Sequence, residues 1–475
     1  MKVIRFFGIL IILFISFNVK SQVSHTLYFM DRVPQFTTLN PAAQTTCNFY
    51  FGIPALSSIN FDVGNSSLSV SNVLQYNKQI DSLTTFLHPL ADRSIFLDAF
   101  KSTNSFFFNS NIDIISFGFR VKDWYLTYYT SLKSDVYVTY SKDLPELLLN
   151  GSDVGTITDL KKFGLYSSVY IENALGASYA MNEEWYFGAG LKLLSGLSNI
   201  STLNNGLTLQ TYEDQEGKFI NTISSDFALR TYLPFFKETK NTDSISLDSI
   251  FQPVDNLEKQ IKPFSNIGIG CDLGAIYYGI ENMRLSLGLI DMGFITWSKN
   301  TSKYKMHESI SYSGVEIKQD SLDNAFEDFG NSFFKDSIKF SKTSEKYTTY
   351  LPFKVYLGAE YFLETYFSFG LLSVSQFYLK NYYQQLTFSG NFRPLNAAMI
   401  SVSYSFFNNG FSNMGIGFAL RPLPGLQVYF ISDNIPLKYS KSFMPHKAKG
   451  ISFQFGMNFI VGCSKKFKDK PLSWE

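Results

Sequence analysis

The chain has 475 residues and a formal net charge of +1, and charged and aromatic residues each make up 17% of it. Soluble domains are typically about 25% charged, so this composition argues against a cytoplasmic enzyme. The balanced charge argues against a nucleic-acid partner, which would leave a basic patch. Few charges and many aromatic rings are typical of a wall that faces lipid between aromatic belts.

Residues 1–21 have the pattern of a secretory signal peptide. Lys2 and Arg5 precede the apolar run 6–19, and cleavage after Ser21 leaves Gln22 first. The alternative is an uncleaved anchor, but the run is short, because a spanning helix needs about 20 residues. No later stretch is apolar enough to span as a helix. We therefore expect a closed barrel in the outer membrane of a Gram-negative bacterium, since lipid tolerates no open sheet edge.

Residues 22–56 form an irregular arm, because Pro34, Pro41 and Pro54 interrupt any regular element. Residues 57–74 predict a first strand. The interruption after it contains a short amphipathic helix at 92–100.

From residue 105 to residue 463 the sequence predicts paired strands. In 400–406, apolar residues alternate with Ser401, Ser403 and Ser405, which gives one apolar and one small polar face. Tight joins fall at 122–123, 182–184, 281–283, 363–365, 393–396 and 421–425, and long connections fall at 141–162, 233–264, 298–351 and 433–450.

This alternation of tight and long joins is typical of outer-membrane barrels, which have short periplasmic turns and long extracellular loops. We predict an all-β fold, a transmembrane antiparallel β-barrel of about 14–16 strands over residues 57–463. The count is about 16, or about 14 if residues 207–232 form an extracellular hairpin instead.

The same alternation turns five charged side chains toward the lumen. They are Glu172, Lys192, Asp272, Lys354 and Glu360. A Lys or Arg facing lipid at mid-depth costs about 2–4 kcal/mol, which favours the inward assignment. Opposite charges in one lumen indicate paired groups and a filled interior.

No catalytic or metal-binding set is visible in the sequence. Cys47, Cys271 and Cys463 are odd in number and far apart, so no disulfide framework is indicated, although one disulfide stays open. The four histidines lack metal spacing, and neither a nucleophile elbow nor a phosphate loop occurs. We expect a protein that is not an enzyme and that has no cofactor.

Two resemblances add to this interpretation. Asn40-Pro41-Ala42, ahead of the first strand, resembles the motif in the N-terminal hatch of the long-chain fatty-acid transporter family, which implies a lumen plug over 22–56. An exposed arm is the alternative. Together with 291–297 and 421–434, the motif resembles an uncharacterised family of Bacteroidota outer-membrane proteins, which implies location and fold but no activity.

The chain end departs from the usual pattern of such barrels. Their last strand commonly ends on an aromatic residue that the barrel assembly machinery recognises, whereas here a basic periplasmic tail, 464–475, follows the last strand. We expect outer-membrane lipid and the barrel assembly machinery as partners.

Two functions remain open from the sequence. The arm and the mixed-charge lumen favour passive transport of small hydrophobic molecules. The mass of the long loops favours a surface scaffold, an adhesin or an accessory subunit of a secretion or motility machine. An open porin is a third alternative, which a filled lumen disfavours.

Five Asp-Ser-aliphatic triplets resemble the O-glycosylation acceptor of Bacteroidota and predict modification at Ser82, Ser244, Ser249, Ser321 and Ser337. All five lie in predicted loops, where a bulky glycan is tolerated. The alternative is ordinary turn and helix-cap chemistry.

Overall fold

The computed structural model describes residues 25–463 except 216, 218, 225, 237–244, 247–264, 307–309, 313–338, 365, 380, 396, 408–411 and 436–448. The predicted signal peptide and the basic tail lie outside the described residues.

The described chain is mostly strand. The strands are β1 (Cys47–Gly52), β2 (Ile59–Asn65), β3 (Leu74–Asn77), β4 (Ser82–Thr85), β5 (Asn104–Val121), β6 (Trp124–Tyr140), β7 (Ile157–Asp159), β8 (Gly164–Ala180), β9 (Trp185–Asn204), β10 (Thr208–Glu213), β11 (Phe219–Ser224), β12 (Ala228–Tyr232), β13 (Ile245–Ser246), β14 (Ile267–Ile280), β15 (Met283–Trp297), β16 (Ser302–Met306), β17 (Ile310–Tyr312), β18 (Lys339–Thr343), β19 (Tyr347–Tyr350), β20 (Phe353–Glu364), β21 (Phe367–Tyr378), β22 (Asn381–Leu395), β23 (Ala398–Phe407), β24 (Ser412–Leu423), β25 (Leu426–Ile435) and β26 (Gly450–Cys463). The helical segments are two 3-10 turns, Thr26–Phe29 and Pro34–Thr38, and the short helices α1 (Val70–Val73), α2 (Arg93–Leu97) and α3 (Asp143–Asn150). No helix in the described part of the chain is long and apolar enough to span a membrane.

The strands close into an antiparallel barrel of 14 strands, within the predicted range of about 14–16. Both β1 and β2 pair with β5 on one side and β26 on the other, so together they form the first barrel strand and close the sheet. The tight joins all lie at one end of the barrel, which we call the turn end, and the strand ends that flank the long connections lie at the other, the loop end.

The count of 16 strands is wrong, and the alternative of 14 is correct. β10 and β11 belong to a separate four-stranded sheet with β7 and β17, and β12 pairs only with the loop-end part of β9 and with β16. The separate sheet is stable outside the barrel wall because it packs on an apolar core. That core contains Leu160, Leu209, Ile223, Phe227, Tyr304, Met306 and Phe340.

The first strand begins earlier than the sequence predicts, inside the segment assigned to the arm. Between β1 and β2 the wall bulges outward, and Pro54, Ala55 and Leu56 are exposed. Pro54 has no N–H to donate to the ladder, and Ala55 has a φ of 59°. The proline therefore interrupts the first strand rather than preceding it.

The interruption after the first strand contains a hairpin, β3–β4, that the sequence analysis missed. Helix α2 lies within the predicted helix at 92–100, and the side chain of Asp92 caps it by accepting a hydrogen bond from the Ser94 amide.

Strand β23 shows why these sequences form a wall. Ser401, Ser403 and Ser405 are at most 1% exposed, and the intervening Val402 and Tyr404 are 39% and 36% exposed. Small hydroxyls thus line the lumen and apolar side chains cover the outside, because successive residues of a strand point to opposite faces.

A disulfide joins Cys47 of β1 to Cys463 of β26, which links the first and last strands at the turn end. The sequence left a single disulfide open but gave no pairing. Cys271 is free.

Candidate functional site

Residues 25–46, which we call the inner segment, run through the lumen without joining the sheet. Leu27, Met30, Val33 and Phe36 are buried in one cluster with wall residues such as Tyr429. The segment therefore fills the barrel as a small core of its own.

A buried segment outside a ladder must satisfy its backbone groups in another way, and here the wall side chains do so. The amide of Thr26 donates to Asp433 Oδ1 at 3.1 Å, and Gln427 Nε2 donates to the carbonyl of Arg32 at 2.7 Å. At the end of the segment, Arg120 Nη2 donates to the carbonyl of Thr45 at 2.8 Å.

The predicted motif Asn40-Pro41-Ala42 lies against the wall where glycines replace side chains. A Cβ at Gly188 would overlap the carbonyl of Pro41, and a Cβ at Gly274 would overlap the side chain of Asn40. Asn40 Oδ1 accepts the Ala42 amide at 3.0 Å, and its Nδ2 donates to the carbonyl of Leu287 at 3.2 Å. The asparagine thus shapes the turn and attaches it to β15.

Four buried charges, which we call the arginine cluster, tie the inner segment to the wall: Asp31, Arg284, Glu360 and Arg393. Arg393 Nε lies 3.1 Å from Asp31 Oδ1, and its Nη2 lies 2.9 Å from Glu360 Oε1. Arg284 also pairs with Glu360. Two positive and two negative groups therefore balance in a buried site, which such charges require.

A second set of charges, the lysine cluster, lies on the lumen side of six adjacent strands, β6, β8, β9, β14, β15 and β20. Lys192 Nζ lies 2.7 Å from Asp272 Oδ2 and 2.6 Å from Asp291 Oδ1. Lys133 Nζ lies 2.8 Å from Glu172 Oε1, and Lys354 Nζ lies 3.0 Å from Asp291 Oδ2. Three lysines thus face three carboxylates.

The structure brings four of the five predicted lumen charges together in the lysine cluster. Glu360, the fifth, lies in the arginine cluster. Sequence reasoning missed Lys133, Asp291, Arg284 and Arg393. The alternation in β6 could have indicated Lys133, whereas Arg393 was assigned to a tight turn.

A cavity of about 170 Å³ lies between the inner segment and the loop end. Leu27, Thr38 and Leu39 form its side toward the inner segment, and polar side chains of β2, β5 and β6 line one wall. Lysines and tyrosines of β8, β9 and β20–β22 also line it. We call this the lower cavity.

A second cavity of about 490 Å³, the upper cavity, adjoins it. Asp135, Tyr170, Pro352 and Tyr378 line both cavities, so the two share a boundary. Its other lining residues include aromatic and aliphatic side chains, namely Tyr166, Ile200, Tyr350, Leu351, Phe377, Leu379 and Tyr382.

The other predicted sites are only partly within the described residues. Ser82 is exposed on β4, whereas Ser244, Ser249, Ser321 and Ser337 lie outside the described part, so glycosylation stays a prediction. Among the described residues, no group of His, Cys, Asp and Glu could hold a metal ion.

The sequence from residue 41 to residue 433 matches a family of unknown function, DUF5723. The chain belongs to this family. The predicted resemblance to an uncharacterised family is thereby confirmed. No curated protein sequence matches the chain.

Several solved structures resemble this member of the family. The toluene transporter TbuX of Ralstonia pickettii is 8% identical with a TM-score of 0.44, covering 91% of this chain and 95% of that one. The toluene transporter TodX of Pseudomonas putida is 8% identical with a TM-score of 0.39, covering 90% and 91%. A FadL homologue of Pseudomonas aeruginosa is 9% identical with a TM-score of 0.37, covering 90% and 93%.

Proposed function

We propose that the protein is a plugged barrel of the Gram-negative outer membrane that takes up small hydrophobic molecules passively. The observation that carries this proposal is the pair of adjoining cavities on the loop-end side of the inner segment. The aromatic and aliphatic lining of the upper cavity suits an apolar solute.

The outer wall supports the membrane location. Leu175, Leu191 and Ile451 are exposed on three different strands, and a closed barrel leaves no sheet edge unpaired in lipid. Because the long connections belong outside the cell in such barrels, the upper cavity would face the exterior and the inner segment the periplasm.

Uptake by outer-membrane vesicles tests the proposal with 1-naphthol as a neutral probe. Vesicles that contain the protein should take up 1-naphthol faster than vesicles without it. Ser168→Trp, which adds bulk beside the upper cavity, should remove the difference. Ser134→Trp is the matched control, because Ser134 lies one residue before the cavity-lining Asp135 and so on the opposite, outer face of β6. Equal uptake with and without the protein would contradict the proposal.

A surface scaffold is the second candidate function, and one observation favours it. The sheet of β7, β10, β11 and β17 has its own apolar core outside the barrel, which transport alone does not need. If deletion of this sheet leaves 1-naphthol uptake intact but abolishes cell-surface attachment, the scaffold role is the better account.

A further inference from the structure

One wall of the lower cavity presents hydrogen-bond acceptors in ordered rows. Across β2, β5 and β6, Asp62 pairs in register with Asn109, and Asn109 pairs with Asp135. The next row toward the turn end has Asn60 beside Asn111. Since the three strands are adjacent and in register, their inward side chains form one continuous polar surface.

Four acceptor atoms around the lower cavity are buried and have no hydrogen-bond donor: Asn60 Oδ1, Asp62 Oδ1, Asn111 Oδ1 and Gln376 Oε1. Asp62 is 5% exposed and Gln376 is 7% exposed. A buried hydrogen-bond acceptor without a donor costs free energy. A surface with four such acceptors is therefore suited to a ligand that donates hydrogen bonds.

Three further carboxylates around this cavity have no salt-bridge partner among the described residues. The lysine cluster is internally balanced, because each of its lysines lies within 4.0 Å of a carboxylate of the cluster. Asp62, Asp113 and Asp135 line the cavity and form no salt bridge with any described lysine or arginine. Asp113 accepts a hydrogen bond at 2.7 Å from the hydroxyl of Ser131, and this donor carries no charge.

We propose that the lower cavity binds the protonated amine of a small amphipathic molecule, whose hydrocarbon part occupies the upper cavity. An ammonium group brings a positive charge and several N–H donors, and it has no acceptor that would compete with the wall. The tyrosines shared by the two cavities, Tyr170 and Tyr378, can contact either the cation or an apolar ring.

This inference rests on the proposed function, because the ligand must enter the lumen through the upper cavity. The proposed function names only a small hydrophobic molecule as the ligand. The inference specifies that this molecule has a cationic head group on an apolar body. Water is the alternative occupant of the lower cavity, since water also donates hydrogen bonds.

Calorimetric titration of the purified full chain in detergent tests the inference with three probes of one shape. They are 2-phenylethylamine, 2-phenylethanol and phenylacetate, which are cationic, neutral and anionic at neutral pH. We expect 2-phenylethylamine to bind at least about tenfold more tightly than 2-phenylethanol, and phenylacetate not to bind. Asp62→Asn with Asp135→Asn should lose that preference, whereas Asp153→Asn, an exposed residue at the loop end, should keep it.

Heat-modifiable electrophoretic mobility establishes that the variants retain the barrel. Equal affinity for 2-phenylethylamine and 2-phenylethanol would overturn the inference and leave the proposed function standing. No binding of any probe, with 1-naphthol uptake intact, would mean that only water occupies the lower cavity and would also overturn it. Loss of both binding and uptake would overturn the proposed function as well.

Discussion

The arginine cluster and the lysine cluster both contain equal numbers of positive and negative side chains, but they face different surroundings. Around the arginine cluster the inner segment packs directly, and Arg393 Nη2 also donates to the carbonyl of Phe29 at 3.2 Å. The lysine cluster instead borders a cavity, and Lys192, Asp291 and Lys354 line that cavity. One cluster therefore holds a segment of the chain in place, whereas the other borders an internal cavity.

Arg393→Ala should have the largest effect, because it removes the side chain that joins Asp31 to Glu360. We expect the free energy of unfolding to fall by about 3–5 kcal/mol, as when a buried ion pair loses one partner. The released inner segment should also increase ion conductance in planar bilayers. Urea titration in lipid vesicles measures the stability.

The matched control is Arg230→Ala. Arg230 pairs with Glu345 at the loop end, where both side chains are partly exposed, so we expect a loss within about 1 kcal/mol. If both variants lose the same stability, the arginine cluster does not hold the inner segment.

Gly188→Val should have an intermediate effect on stability, because it disturbs the contact between the barrel wall and the inner segment. The added side chain would overlap the backbone of Pro41, and overpacking of this kind costs about 1–3 kcal/mol. Gly390→Val is the control, because a Cβ at Gly390 would meet no heavy atom within 4 Å. Thermal unfolding followed by electrophoretic mobility compares the two, and a larger loss for Gly390→Val would show that the inner segment does not pack as described.

Lys354→Met should have the smallest effect on stability, about 1 kcal/mol or less, because its side chain is 22% exposed and Asp291 keeps Lys192 as a partner. It should nevertheless change the ligand site, because it removes a positive charge from the cavity lining. We expect tighter binding of 2-phenylethylamine in calorimetric titration. Weaker binding would indicate that Lys354 contributes to the site rather than opposing it.

The wall could be predicted from the sequence because its signal is local. Alternation in β23 and the inward position of Glu172 both follow from a period of two residues. The sequence analysis placed the break at Pro54 in the arm rather than within the first strand, because the sequence shows the break but not that the same barrel strand continues on both sides of it.

The contacts that complete the site were not predictable in this way. Arg393 and Asp31 are separated by 362 residues, and the cysteines of the disulfide are separated by 416. Only the closure of the barrel brings such residues together. The surroundings of Asp62 Oδ1, which has no hydrogen-bond donor, likewise depend on the register of three neighbouring strands. The sequence of one strand does not determine that register.

Sided cysteine labelling of intact cells tests the central proposal most directly, namely that solutes reach the lower cavity from the loop end, which faces the cell exterior. In a Cys271→Ser background, Asn109→Cys places a thiol on the wall of the lower cavity and Asn182→Cys places one in a tight join. A small membrane-impermeant thiol reagent should label Asn109→Cys and not Asn182→Cys. Labelling of Asn182→Cys without Asn109→Cys would contradict both the proposed orientation and the proposed access to the lower cavity.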